Sequence, residues 1–166
     1  MLIYFDANIV QYCADYGDQI FGNVETSPCL GWKFRRELDA LRQLVYLEQF
    51  GNWTFASSSH LQCELHRGRP TKQQREMYSE LKDTADCSYS LDEQVYRDVL
   101  EDCLVQRLRD RSDQKHVAIA AAMGASWFLT NDGDVVRNLK RRPIARMRVA
   151  RPSDCISDIS IGLVLR

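Results

Sequence analysis

The sequence has no C-x-x-C pair, no G-x-x-x-x-G-K-[ST] loop and no G-x-G-x-x-G turn. The six cysteines, at 13, 29, 63, 87, 103 and 155, are scattered. That scatter argues against a zinc ribbon or a thioredoxin-type centre and favours reduced thiols in a cytoplasmic protein. The two missing glycine motifs argue against nucleotide cradles of those types. No apolar run reaches the roughly 20 residues a membrane-spanning helix needs; the longest nearly apolar stretch is 117–129, so no membrane partner is expected. The opening MLIYFDANIV lacks a basic leader and carries Asp6 inside its apolar stretch, so no secretory signal is expected. Glycine (8) and proline (4) are few, and there is no repeat or low-complexity tract to divide the chain. What is present is 166 residues, 45% apolar and 27% charged, the composition of one globular domain over 1–166.

The net charge of −1 conceals an asymmetry. Residues 135–166 carry eight Lys and Arg against Asp154 and Asp158, so the rest of the chain is acidic. A basic end on an acidic body suits a phosphate-bearing partner, and equally a solvated surface.

Apolar spacing predicts the elements. Residues 2–5 form a continuous apolar run, as in a strand buried on both faces of a parallel sheet. Helices are expected at 8–16 and 32–50, with a turn-rich insertion over 17–32 between them. A strand at 53–56 precedes a helix capped by Ser57–Ser59 hydroxyls and ending near Arg67 before Gly68 and Pro70. Further helices are expected at 71–82 and 91–108, the second facing inward through 91, 95, 99, 103 or 104 and 108. Ser112 is read as the cap of a helix closed by Gly124. Strands at 126–129 and 147–150 flank a short helix at 132–141, and 159–165 is ambiguous between strand and helix. Alternating strands and helices predict an α/β fold with a mostly parallel sheet. In such sheets ligands bind beyond the carboxyl ends of the strands.

That rule selects Asp6 after the first strand, and Thr130-Asn131-Asp132-Gly133-Asp134 after the third. Two helical acids join them. Glu64 sits between Leu61 and Leu65. Asp113 begins a stripe of Val117, Ala120, Ala121 and Gly124, so its side chain belongs at the core edge. Clustered carboxylates repel and lose hydration, and a cation relieves both. Hard oxygen ligands select Mg²⁺ or Mn²⁺, and such ions at a strand edge serve phosphodiester hydrolysis. Each acid also has a plainer role. Asp6 is a candidate helix cap, Asp113 a first-turn acid offsetting the helix dipole, Glu64 a partner for Arg67, and Asp132 or Asp134 a turn residue. The joint pattern, two acids after strands and two on inward helix positions, favours a site.

LIYFDANIV resembles the opening of PIN domains: an apolar strand, Asp, one residue, Asn, then a helix. SSSHLQCEL resembles the helix that carries their second acid. SDQKHVAIAAAMGASWFLTNDGDVV is similar to their most recognisable stretch, and MRVARPSDCI to their last strand and turn. The resemblance implies a three-layer PIN-like fold and a Mg²⁺- or Mn²⁺-dependent endoribonuclease. Its acidic ligands correspond here to Asp6, Glu64, Asp113 and Asp132, with Asp134 a further candidate. Asn8, Thr130 and Asn131 match polar positions that contact ligands or the scissile phosphate. Many small members are toxins restrained by an antitoxin, and many are homodimers; both partners are implied here beside the RNA substrate.

Other signals weigh less. His60, Cys63 and His66 do not share a helix face, since six residues place His60 and His66 about 120° apart, so no zinc site is expected there. Arg137 and the Arg-rich stretch to 151 could hold RNA phosphates if they border the acids. Trp53 and Trp127 are expected in the core. A haloacid-dehalogenase-like phosphatase would need a second Asp where Asn8 stands. The remaining alternative is a non-catalytic RNA- or protein-binding module on the same fold.

Overall fold

The computed structural model describes residues 1–22, 24–48, 53–84 and 90–164. Strand β1 (Leu2–Phe5) leads into helix α1 (Ala7–Asp15), the single-turn α2 (Gly17–Ile20) and the long α3 (Trp32–Glu48). Strand β2 (Thr54–Ala56) is followed by α4 (Ser59–Arg67), α5 (Lys72–Thr84) and α6 (Glu93–Glu101). A 3₁₀ turn (Val105–Arg107) precedes α7 (Arg111–Ala122). Strand β3 (Trp127–Leu129), α8 (Gly133–Leu139), β4 (Arg148–Ala150) and α9 (Pro152–Val164) complete the order.

The four strands pair in parallel in the order β2-β1-β3-β4, as the α/β reading requires. Every residue of β1 and β3 is buried. Alternate side chains point to opposite faces, so both faces are covered and the fold has three layers. Tyr4 and Phe128 stack at the sheet centre, with ring centroids 5.7 Å apart. From β1 the chain moves to β2 on one side and later to β3 on the other. Such a reversal opens a crevice at the carboxyl ends of β1 and β3. The ladder runs one residue past these strands: Asp6 N donates to Leu129 O at 3.0 Å, and Thr130 N to Ala150 O at 3.1 Å. Asp6 and Thr130 are thereby fixed side by side at the rim.

Capping explains where the helices begin. Asp6, Ser58, Asp92, Asp110 and Asp132 each accept backbone N–H bonds at a helix start. The start of α9 is served from elsewhere. The buried Glu37 of α3 accepts Ser153 N at 3.0 Å and the Ser153 hydroxyl at 2.7 Å, tying α3 to α9. Gly124 adopts φ +75° just after α7, a left-handed conformation that glycine takes without a Cβ penalty.

Several expectations shift. The predicted helix 91–108 is interrupted: Asp102 leaves helical geometry, and its carboxylate accepts Leu104 N at 2.8 Å to start the 3₁₀ turn. Leu91, expected inward, is exposed; of the alternatives 103 and 104, Leu104 packs against the core and Cys103 is exposed. Asp110, not Ser112, caps α7, because its carboxylate reaches Ser112 N at 2.7 Å. Trp53 precedes β2 and is only partly buried, whereas Trp127 is core. The ambiguous 159–165 is helical to Val164, and 165 lies outside the described residues, as do 49 and 50 at the end of the predicted 32–50 helix. The turn-rich 17–32 segment starts with α2, which buries Ile20. Among the described residues no helix is long and apolar enough to cross a membrane.

Candidate functional site

The crevice at the β1 and β3 ends is a cavity of about 730 Å³. Asp6, Glu64, Asp113, Asp132 and Asp134 all line it, with Asn8 and Arg137. Acids separated by more than a hundred residues thus share one space. Arg109 and Asp110 line it too, and neither was expected from the sequence.

Asp6 is both cap and site residue. Its Oδ1 accepts Ala7 N at 2.8 Å; its Oδ2 accepts the Asn8 amide and the Thr130 hydroxyl, each at 2.6 Å. Thr130 is fully buried, and its hydroxyl oxygen also accepts Asp132 N at 2.9 Å. One threonine therefore spaces the acid after β1 from the acid after β3. Asn8 ties the same two segments: its Nδ2 reaches Thr130 Oγ1 at 3.1 Å, and its Oδ1 accepts Asn131 N at 3.0 Å. Asp132 caps α8 through Oδ1, accepting Asp134 N at 2.6 Å and Val135 N at 3.1 Å. The Asn131 side-chain amide is buried, and neither its nitrogen nor its oxygen has a hydrogen-bond partner.

Among the described residues no Lys or Arg ion pair neutralises Asp6, Asp113 or Asp132. Burial pushes the Asp6 carboxyl above the usual carboxylate range, against the Thr130 hydrogen bond that favours its charged form. Desolvation, then repulsion from Asp6, Asp132, Asp110 and Glu64, pushes Asp113 up to about 7. Such crowding is the electrostatic mark of a site that takes up positive charge. The all-oxygen donor set fits a hard divalent ion. Asp134 differs, since Arg137 lies 3.4 Å from it across one helical turn.

Glu64 does not pair with Arg67. Its carboxylate accepts the Ser112 hydroxyl at 3.1 Å and contacts His116 Nε2. His116 is fully buried, and its Nδ1 meets the Tyr4 hydroxyl at 3.1 Å, which in turn meets Ser58 Oγ at 2.6 Å. His60, one turn before Glu64, reaches Ser112 Oγ at 3.1 Å. Desolvation, then His116, lowers the His60 pKa. Cys63 is exposed, and His66 bonds Gln62 O, so the His60–Cys63–His66 set does not converge. Sequence reading missed His116. Its signal was the spacing of three from Asp113, which places both on neighbouring turns of α7.

Of the six Lys and Arg between 140 and 151, three form ion pairs. Lys140 binds Asp154 at 2.7 Å, Arg142 binds Asp102 at 2.6 Å and Arg148 binds Asp158 at 2.5 Å. Among the described residues, Arg137, just before that stretch, and Arg109 are the basic side chains that border the acidic cavity.

No family model matches the chain, and no curated protein matches it. Among solved structures it is similar to VapBC2 from Rickettsia felis bound to a DNA fragment from their promoter. The TM-score is 0.59 at 18% identity, over 91% of this chain and 98% of that one. The likeness shows the fold, which is PIN-like.

Proposed function

We propose that the protein is a metal-dependent endoribonuclease that hydrolyses RNA phosphodiester bonds. The observation that carries this reading is the meeting of Asp6, Glu64, Asp113 and Asp132 at one crevice, with no lysine or arginine ion pair on the three aspartates among the described residues. These four carboxylates, with Asp134 at the margin, would hold Mg²⁺ or Mn²⁺. The bound ion would lower the pKa of a water and stabilise charge developing on the phosphate. The chain's own groups do the positioning. Asn8 and Thr130 set the spacing of Asp6 and Asp132. The unpartnered Asn131 amide offers a donor and an acceptor, and the Arg137 and Arg109 guanidiniums suit phosphate oxygens.

The likeness to VapBC2 and the PIN resemblance of the sequence support a toxin role, restrained by a protein antitoxin. A homodimer belongs to the same reading, and the site of action would be the cytoplasm.

The test is cleavage of a panel of single-stranded and structured RNAs with Mg²⁺ or Mn²⁺. Parent protein should cut at least one, EDTA should stop it, and Asp6→Asn or Asp113→Asn should lower the rate at least about a hundredfold. RNA binding without ions, unchanged in the amide variants and without cleavage, would support the non-catalytic module instead.

A further inference from the structure

The four-acid reading leaves His60 and His116 unexplained. His60 and Glu64 lie four residues apart on α4, which puts them on one helix face. His116 approaches the same carboxylate from α7. One ligand atom from each of His60, Glu64 and His116 falls within 4.8 Å of the others. The imidazole rings of His60 and His116 are tilted at 54°, with centroids 4.6 Å apart. His116 Nε2 contacts the Glu64 carboxylate directly, and His60 Nε2 is joined to it through the Ser112 hydroxyl.

We propose that His60, Glu64 and His116 form a second cation site, selective for a borderline-soft divalent ion of the Zn²⁺ class. Two imidazoles and one carboxylate are the ligand set such ions prefer, and Mg²⁺ does not. An ion holding N and O ligands at about 2.1 Å draws them to roughly 3.4 Å apart. On ion uptake the partly exposed His60 ring rotates inward off Ser112 Oγ, and the Glu64 carboxylate opens from its direct contact with His116 Nε2 to admit the ion. The surroundings are already built. The Tyr4 hydroxyl meets His116 Nδ1 at 3.1 Å, so with the ring proton on Nδ1 the lone pair of Nε2 is directed at the site. Ser112 Oγ stands 3.1 Å from both His60 Nε2 and Glu64 Oε2, so in the ion-free chain it holds the two side chains next to each other. The fourth position is left to water or substrate.

Glu64 belongs to both sites, so the two ions compete for its carboxylate or share it. The histidine site goes beyond the nuclease reading and depends on it only through that shared residue. Its test reads binding, not RNA cleavage, so the two readings fail separately.

The full-length chain, stripped with chelator, is titrated with Zn²⁺ alone, and with Co²⁺ alone to read the visible absorption of low-coordinate cobalt. Both titrations are repeated under excess Mg²⁺. The expected result is one tightly bound ion per chain that survives Mg²⁺. His60→Ala and His116→Gln should each weaken it at least about tenfold, and Asp113→Asn should leave it in place. Circular dichroism checks folding; if the buried His116→Gln chain does not fold, the exposed-side His60→Ala variant decides. Zn²⁺ binding that His60→Ala leaves unchanged, or that Asp113→Asn abolishes, overturns the proposal, and so does the absence of Mg²⁺-resistant binding. In that case the cluster is a hydrogen-bonded strut for Glu64.

Discussion

Asp113→Asn should reverse the sign of its effect on stability when a divalent ion is added. In the ion-free chain the Asp113 carboxyl titrates near 7, well above its ordinary 3.8, through desolvation and the repulsion of Asp6, Asp132, Asp110 and Glu64. The folded state therefore binds more protons than the unfolded state between those two values. Stability then falls as pH rises through that window and stays low above it. A shift of about three units corresponds to roughly 4 kcal/mol at most. Asp113 is only partly buried, so screening reduces this to about 2 kcal/mol. Asn has nearly the same shape and cannot ionise. In EDTA at pH 8 the variant should melt about 4–8 °C above the parent. Near pH 4 the two should coincide. Saturating Mn²⁺ at a hundred times its Kd adds about 2.7 kcal/mol to the parent and much less to the variant, so the order should invert. Differential scanning fluorimetry across pH, with and without ion, reads all of this. An Asp113→Asn chain that melts below the parent in EDTA at pH 8 would refute the idea of mutually repelling carboxylates.

Three further outcomes are expected. Thr130→Val removes the hydroxyl that separates Asp6 from Asp132 N, costing about 1–3 kcal/mol in urea unfolding and a larger share of RNA cleavage than of fold. Glu37→Ala strips the start of α9 of its partner for Ser153 and should cost about 2 kcal/mol, against under 1 kcal/mol for the exposed Arg142→Ala, both by urea unfolding. Leu41, fully buried in α3, should lose about 2–5 kcal/mol on truncation to Ala, with the denaturant midpoint falling and the slope unchanged.

The parts of the fold that were legible are those fixed by local patterning. The apolar run of β1 and the strand-then-Thr-Asn-Asp stretch of β3 both read correctly, and with them the edge where Asp6 and Asp132 meet. Their cap roles and their place in the crevice proved compatible, because Asp6 spends one oxygen on each. The interruption of 91–108 was hidden, since the apolar period continues through it. What breaks the helix is Asp102, held by Arg142 from 40 residues away. The misplaced cap on α7 has a similar cause: Asp110 and Ser112 both suit the position, and the winner leaves the Ser112 hydroxyl for Glu64. The link from Glu64 to His116 spans 52 residues and follows no sequence period.

Anomalous scattering from a crystal of the chain grown with Mn²⁺ addresses the four carboxylates most directly. A manganese peak with ligand oxygens of Asp6, Asp113 and Asp132, and Glu64 beside it, is the expected result. A crystal at saturating Mn²⁺ with an empty crevice between the β1 and β3 ends would contradict it.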